Sequence, residues 1–269
     1  MEVLNLKNRL LERVSNYRAK AQEVVSDVLL LDFGVVNAFL IGDPLTDRKD
    51  FVLVDTGIEN SYDFIIETAE KRFGKGTKPD AIILTHGHFD HIGSAKKLAE
   101  EWDVPIYVHP LELPYFTGER DYPSYNSEAD GQRADLGEKV YVLPEDGKVP
   151  GLPGWKWIHT PGHTKGHISL FREKDRFLIA GDAFVTVKQE YLYKVFTQEQ
   201  EISGPPRYLT TDWDLAWASV KKLEALKPSV AVTGHGLPMS GERLAASLKK
   251  LVQEFDRIAI PERGKYVKH

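Results

Sequence analysis

The chain has 269 residues, 42% of them hydrophobic, and a net charge of −5, which is ordinary for a globular protein and argues against a nucleic-acid partner. It contains no cysteine, so disulfides and thiolate metal sites are excluded and any metal must be bound by nitrogen and oxygen. Apolar runs are too short for a membrane span, and the N-terminus lacks the apolar core of a secretory signal. We therefore expect a cytoplasmic protein without a membrane partner.

The N-terminal segment carries an apolar stripe that predicts an amphipathic helix over residues 3–23. The stripe consists of Leu6, Leu10, Val14, Tyr17 and Ala21. Surface helices usually pack on their own domain, and we expect the same here. The alternative is that the stripe pairs with a second copy of the chain in a homodimer.

The first half of the chain then alternates short apolar runs with helical patterns. A helix is predicted from Asn60 or Ser61 to Gly74, and a second one over 92–102. The apolar runs predict strands over 28–33, 36–43, 51–57, 81–84 and 105–109.

Residues 111–153 are rich in proline, glycine, tyrosine and charge, and they show little periodicity. A long stretch of this kind is typical of a lid or a binding loop, so we predict an irregular, lid-like insertion. No linker composition divides the chain there. We therefore predict a single domain over residues 1–269.

The second half repeats the style of the first. Strands are predicted over 156–160, 167–171, 177–182 and 229–235. One helix begins at Thr211 or Asp212 and ends before Pro228, and a last one carries its stripe from Ser240 to Ile258. Two halves of similar strand and helix content predict an α/β protein with its sheets between layers of helices.

Metal-binding residue types follow four of the predicted strands. The sequence THGHFDH (85–91) places three histidines and an aspartate together, and a polar loop facing water is the alternative reading. Three more such loops are TPGHTKGH (160–167), AGDAF (180–184) and TGHG (233–236). Strand ends on one edge of a sheet converge, so donors that are distant in sequence can meet there.

The spacing of these donors suits a pair of ions. His86 and His88 point the same way along an extended segment, and the turn into the next helix brings Asp90 and His91 to a neighbouring point. The expected sharing is one ion at His86, His88 and His163, a second at Asp90, His91 and His235, and a bridge at Asp182. An open position on each ion is typical of a catalytic site. Nitrogen and oxygen donors favour two Zn²⁺ per chain, although iron, manganese or cobalt would also fit.

These motifs resemble those of the metallo-β-lactamase-fold hydrolases, including glyoxalase II and the lactonases. The matching elements are HxHxDH at 86–91, PGH at 161–163, GD at 181–182, GH at 234–235 and VDTG at 54–57. The resemblance covers residues 28–240. It implies a four-layer αβ/βα sandwich, with two central mixed β-sheets flanked by helices and the metals at one edge. It also implies that Asp55 orients ligating histidines and that Asp90 takes or relays a proton.

Two metal ions would activate water for attack on esters, thioesters, lactones, amides or phosphodiesters. The namesake β-lactamases generally lack the bridging aspartate, and one of their classes uses a cysteine ligand. The best-known lactonases place a tyrosine where this chain has Val185. Glyoxalase II and the persulfide dioxygenases usually show a GCGR-like element, where this chain reads GDAFVTVKQ.

We therefore expect a metal-dependent hydrolase that cleaves a thioester or lactone in a small organic substrate. The alternatives are a phosphodiesterase, a β-lactamase-type amide hydrolase, and an iron-dependent persulfide dioxygenase. An aromatic pocket for an acyl or small apolar group would consist of Phe33, Tyr115, Tyr122, Tyr125, Phe184, Tyr191 and Tyr193. Ordinary core and surface rings are the alternative reading. His167 is expected either to orient a metal ligand or to serve its strand alone.

Overall fold

The computed structural model describes residues 19–120, 135–187, 200–207, 209–262 and 267. Seven strands form a first sheet in chain order. They are β1 (Lys20–Val25), β2 (Val28–Asp32), β3 (Asn37–Ile41), β4 (Val52–Val54), β5 (Ala81–Ile83), β6 (Ile106–Val108) and β7 (Val140–Val142). Strands β1 to β4 pair antiparallel, and β4 to β7 pair parallel.

Parallel neighbours need crossover connections, and helices provide them. A short 3₁₀ turn, Glu59–Ser61, leads into α1 (Tyr62–Phe73) between β4 and β5. Helices α2 (Phe89–Ile92) and α3 (Ala95–Trp102) lie between β5 and β6, and α4 (Leu113–Phe116) lies between β6 and β7. The donor-rich loop after β5 therefore opens directly into a helix.

A second sheet of six strands runs in the order β13-β12-β11-β10-β9-β8. Its strands are β8 (Lys148–Val149), β9 (Leu152–His159), β10 (Ile168–Arg172), β11 (Phe177–Ile179), β12 (Val230–Val232) and β13 (Met239–Ser240). All neighbours are antiparallel except β11 and β12. The crossover between those two contains α5 (Trp213–Ala225), and α6 (Gly241–Gln253) and α7 (Phe255–Ile258) follow β13.

Strand β2 shows how the layers form. Val28 and Leu30 pack into the cluster between the two sheets, whereas Leu29 and Leu31 pack into the cluster that contains α1 and α3. Side chains alternate across a strand, so a strand covered on both faces must be apolar at every position. A third cluster joins the second sheet to α5 and α6. The order helix, sheet, sheet, helix confirms the predicted four-layer fold.

The predicted N-terminal helix is wrong at its end. Residues 20–25 form β1, which pairs with β2 from Lys20 opposite Asp32 to Val25 opposite Val28. This backbone pairing with a neighbouring strand overrides the helical stripe at Ala21. Residues 3–18 of the predicted helix lie outside the described residues.

The predicted irregular insertion is also partly wrong. Its described residues include α4, β7, β8 and the start of β9, and Leu136 and Leu143 are buried in the core. Strand β7 forms by pairing with the distant β6, which local periodicity cannot show.

The last predicted helix is interrupted at Glu254, between α6 and α7. None of the helices in the described ranges is long and apolar enough to cross a membrane.

Replacement of Phe39 tests the layer between the sheets. The ring is fully buried in that cluster, so Phe39→Ala should lower the free energy of unfolding by about 3–5 kcal/mol. Urea unfolding measures the change. Leu45→Ala, at a side chain that is 89% exposed, is the control and should stay within about 0.5 kcal/mol of the parent. Equal effects of the two replacements would contradict the assigned core.

Candidate metal centre

The candidate centre lies where parallel strands of both sheets end. Asp55 follows β4 and the segment 85–91 follows β5, in the first sheet. In the second sheet, Asp182 follows β11 and His235 follows β12. His163 comes from the loop between β9 and β10. The carboxyl ends of neighbouring parallel strands meet at one edge, which is why residues far apart in sequence converge here.

The structure brings together all seven donors that the sequence selects. In each of three groups, one ligand atom per residue lies within 4.8 Å of the others. These groups are His86–His88–His163, His86–His91–Asp182 and Asp90–His91–His235. The first and third are the two predicted triads. The middle group overlaps both, so the donors form one continuous cluster.

Asp182 lies between the two triads. Its Oδ2 atom is 3.4 Å from His163 Nε2, 3.6 Å from His91 Nε2 and 3.0 Å from His235 Nε2. One carboxylate oxygen therefore faces a nitrogen of the first triad and two nitrogens of the other. Gly234 allows this approach, since a Cβ built at that position would lie 2.1 Å from Asp182 Oδ1.

The imidazoles of His86 and His163 are held through their Nδ1 atoms. Thr85 Oγ1 donates to Asp55 Oδ2 and accepts from His86 Nδ1, over 2.8 and 3.1 Å. Thr210 Oγ1 donates to the carbonyl of Pro206 at 2.8 Å and accepts from His163 Nδ1 at 3.1 Å. A proton on Nδ1 leaves the Nε2 lone pair of each ring available for a metal.

His88 is turned the other way, because its Nδ1 lies 2.9 Å from His163 Nε2. His88 therefore presents Nδ1, rather than Nε2, to the first triad. The two histidines of the HxH element thus offer different nitrogen atoms to one point.

Asp55 supports both triads from behind. Its Oδ2 accepts from His91 Nδ1 at 2.8 Å, and its Oδ1 accepts from the backbone N–H of Thr85 at 2.8 Å. The residue has a φ of 56°, which is uncommon for a residue with a side chain, and its N–H donates to the carbonyl of Ile83. Asp55 therefore anchors His91 directly and His86 through the Thr85 hydroxyl.

Asn37 and Val35 position His235, and the sequence analysis missed both. The Nδ2 of the buried Asn37 donates to the carbonyls of Thr233 and Gly236, at 2.9 and 2.7 Å. Its N–H donates to the carbonyl of Gly234 at 2.8 Å, and His235 Nδ1 donates to the carbonyl of Val35 at 2.5 Å. Asn37 is the polar residue inside the apolar run VNAFLI, and this exception could have indicated a special role for it. A backbone acceptor such as Val35 leaves no signal.

His167 holds the backbone of Asp182. Its Nε2 accepts from the Asp182 N–H at 2.8 Å, and its Nδ1 donates to the carbonyl of Thr160 at 3.1 Å. Burial lowers the pKa of His167 to about 3, so the ring is neutral and can accept this bond. Of the two roles considered for this residue, the structure shows the one that orients a candidate ligand.

The first triad favours neutral imidazoles. Burial lowers the pKa of His86 and His163 well below the usual value, and neighbouring histidines lower it further. Burial also lowers the pKa of His88 to about 4. Near neutral pH these rings therefore carry no charge, which is the state that binds a metal.

The second triad favours positive charge. Burial lowers the pKa of His91, but the carboxylates of Asp182, Asp90 and Asp55 outweigh it and hold that pKa well above the usual value. The pKa of His235 is raised against burial in the same way, mainly by Asp182. Burial raises the pKa of Asp182, but His235 and His91 outweigh it and keep the group ionised. The carboxylates around the second triad attract positive charge. Either protons on the imidazoles or a bound metal ion can supply that charge.

The donor set fits a pair of divalent ions. Four buried ligand atoms have no hydrogen-bonding partner among the described residues: His86 Nε2, His91 Nε2, Asp90 Oδ1 and Asp182 Oδ1. Buried polar atoms normally have a partner, so a cluster of such atoms indicates a ligand. All of these atoms are nitrogen or oxygen, which suits zinc, iron, manganese or cobalt.

The structure describes three of the seven rings that were predicted to form an aromatic pocket. Phe33 and Phe184 are 1% and 0% exposed, and both pack in hydrophobic clusters, so the assignment of these rings to the pocket is wrong. Phe33 meets Phe64 edge-on, with 5.7 Å between ring centres. Tyr115 is nearly buried in α4. Tyr122, Tyr125, Tyr191 and Tyr193 lie outside the described residues.

Comparisons with known proteins show the family to which the chain belongs. A sequence profile of the metallo-beta-lactamase superfamily matches residues 31–235. The chain is 43% identical over 248 residues to a Bacillus subtilis protein described as "Probable metallo-hydrolase YflN", covering 88% of this chain and 94% of that relative.

Two solved structures share the fold. The structure of TTHA1623 in a di-iron-bound form is 28% identical, with a TM-score of 0.56, and covers 79% of this chain and 93% of its own. The BLEG-1 B3 metallo-beta-lactamase is 24% identical, with a TM-score of 0.58, and covers 83% of this chain and 92% of its own.

The chain therefore belongs to the metallo-beta-lactamase superfamily. The prediction of an enzyme, a metallo-hydrolase, is confirmed at the level of this class.

Replacement of Asn37 tests its role in holding His235. Asn37→Asp removes both side-chain donors and places a carboxylate against two carbonyl oxygens, which should displace the His235 loop. We expect about 10–100-fold weaker affinity for one metal ion per chain, measured by competition with a chelator. Asn60→Asp, at an exposed position, is the control and should bind metal like the parent. Equal affinities in all three proteins would contradict the role of Asn37.

Proposed function

We propose that the protein is a dinuclear metallo-hydrolase that cleaves an ester-type bond, a thioester or a lactone, in a small organic substrate. The observation that carries the proposal is the position of Asp182 Oδ2, within 3.0–3.6 Å of three imidazole nitrogens from both triads. A carboxylate in that position can bridge two ions. Two divalent ions at this site would lower the pKa of water and polarise the bond to be cleaved.

The proposed ligands are the seven clustered residues. One ion would be held by His86, His88 and His163, the other by Asp90, His91 and His235, with Asp182 between them. Zinc is the proposed metal, because imidazole and carboxylate donors suit it and it needs no redox partner. Iron is the alternative, supported by the di-iron form of the TTHA1623 structure.

Asp90 is the donor best placed to accept and donate protons during the reaction. Its side chain is 15% exposed, whereas those of His91 and Asp182 are almost fully buried. Asp90 Oδ2 lies 3.6 Å from His235 Nε2 and 3.9 Å from His91 Nε2. A carboxylate at the open side of the cluster can accept a proton from attacking water and return it to the leaving group.

Exposed apolar side chains, in a segment that carries donors and in a helix bonded to another such segment, support an organic substrate. Phe89 lies between His88 and Asp90 in the chain and is 50% exposed. Leu215 is 44% exposed in the first turn of α5, whose N-cap residue Asp212 donates its N–H to the carbonyl of Gly162. Apolar surface beside polar donors is typical of sites for small organic molecules.

A hydrolysis panel on metal-quantified protein tests the proposal. Protein loaded with two equivalents of zinc should hydrolyse at least one thioester or lactone of the panel. Turnover of bis-p-nitrophenyl phosphate alone would replace the proposal by a phosphodiesterase, and turnover of β-lactams alone by an amide hydrolase. Oxygen uptake with a persulfide by the iron-loaded protein would indicate a dioxygenase. No hydrolysis of any ester-type substrate would end the proposal.

Asp182→Asn tests the bridge. A neutral amide cannot supply the negative charge that two ions share, so one ion per chain should be lost and hydrolysis should fall by more than about 100-fold. Elemental analysis and initial rates measure the two effects. Asp146→Asn makes the same chemical change at a half-exposed surface position and should alter neither. Full metal content in the Asp182 variant would contradict the assigned bridge.

A further inference from the structure

A cavity of about 400 Å³ lies beside α6 and α7. We call it the α6 cavity and define it by its five charged lining residues and one serine, which are Glu201, Arg207, Arg243, Ser247, Lys250 and Arg257. Gln200 and three apolar residues complete the lining. Four of these six side chains are cationic, in a chain whose net charge is −5. None of the seven metal-centre donors lines the cavity within the described ranges.

Three of the polar lining residues come from one face of α6. Arg243, Ser247 and Lys250 are spaced by four and three residues, so their side chains project from the same side of the helix. The adjacent stripe of α6, which includes Leu244, Leu248 and Leu251, is buried in the core. The packed stripe therefore fixes the direction in which the polar face points.

Among the residues that the structure describes, no carboxylate forms an ion pair with Arg243 or Lys250. Arg243 donates to the side-chain and backbone oxygens of Gln200, at 2.7 and 3.0 Å, and neither acceptor carries a charge. Lys250 forms no ion pair with any residue that the structure describes. Arg257, in contrast, pairs with Glu254. Two cations thus remain available to a ligand.

Arg207 adds a guanidinium from a different segment of the chain, the one that precedes α5. Its Nε donates to the carbonyl of Ala259 at 2.9 Å, and its Nη2 donates to the carbonyl of Ile258 at 2.7 Å. These bonds tie the guanidinium to the end of α7. Cationic groups from two segments that line one cavity can contact more than one group of an extended anion.

We propose that the α6 cavity binds the diphosphate group of a small phosphorylated molecule. Arginine and lysine are the preferred partners of phosphate oxygens, and a hydroxyl such as that of Ser247 adds a further hydrogen bond. The volume is within the usual range for small-ligand sites and exceeds what a single small ion fills. This site is separate from the metal centre, and the proposal does not depend on the hydrolase function.

Calorimetric titration of the metal-loaded protein with ADP tests the proposal. Inorganic pyrophosphate supplies the diphosphate group alone, and adenosine is the comparison ligand without phosphate. ADP should bind saturably and adenosine should not. The double variant Arg243→Gln, Lys250→Gln should bind ADP about 100-fold more weakly, because each of the two lost charge-assisted bonds contributes about a factor of ten. Equal loss for pyrophosphate would show that the diphosphate alone is recognised.

The matched control is Lys249→Gln, which removes a cation from the neighbouring exposed position of α6 outside the cavity lining. It should bind ADP like the parent. Metal content is measured after each titration, and phosphate bound at the metals would persist in the double variant. The proposal is overturned if ADP does not bind, if the double variant binds it normally, or if Lys249→Gln weakens it equally.

Discussion

The buried carboxylate of Asp182 is the constraint on which the candidate centre depends. A carboxylate without water is costly unless cationic or hydrogen-bonding groups surround it. Here His91 and His235 outweigh the effect of burial on its pKa, and His167 binds its backbone N–H. The donors around Asp182 therefore concentrate negative charge in a buried place, and bound cations or protons must balance that charge. This requirement explains why so many polar residues occupy an otherwise apolar edge of the sandwich.

The two sheets supply the rigidity that such a cluster needs. Asn37 belongs to the first sheet, yet its three hydrogen bonds hold the loop of the second sheet that carries His235. Asp55 does the equivalent within the first sheet, through His91 and Thr85. Because both supports sit at strand ends, the donor positions follow from the packing of the sheets.

The protein separates two regions of opposite character. The metal centre concentrates carboxylates and imidazoles at the sheet edge, whereas the α6 cavity presents arginine and lysine on a helix face. The short segment from His235 to Met239 connects the two regions along the chain. The proposed anion site in the α6 cavity is therefore separate from the metal centre.

The sequence by itself determined the seven candidate donors and the layered fold, because ligand spacing and apolar runs are local properties that the chain carries wherever it folds. Residues 20–23 and the predicted insertion were assigned incorrectly from the sequence. Strand β1 forms by backbone pairing with the neighbouring β2, and β7 by pairing with the distant β6, and side-chain periodicity records neither pairing. The tertiary structure alone decided that Phe33 and Phe184 are core residues, and that Asn37 and the carbonyl of Val35 hold His235. Such contacts join positions about 200 residues apart, and no local pattern records which backbone atom will face which side chain.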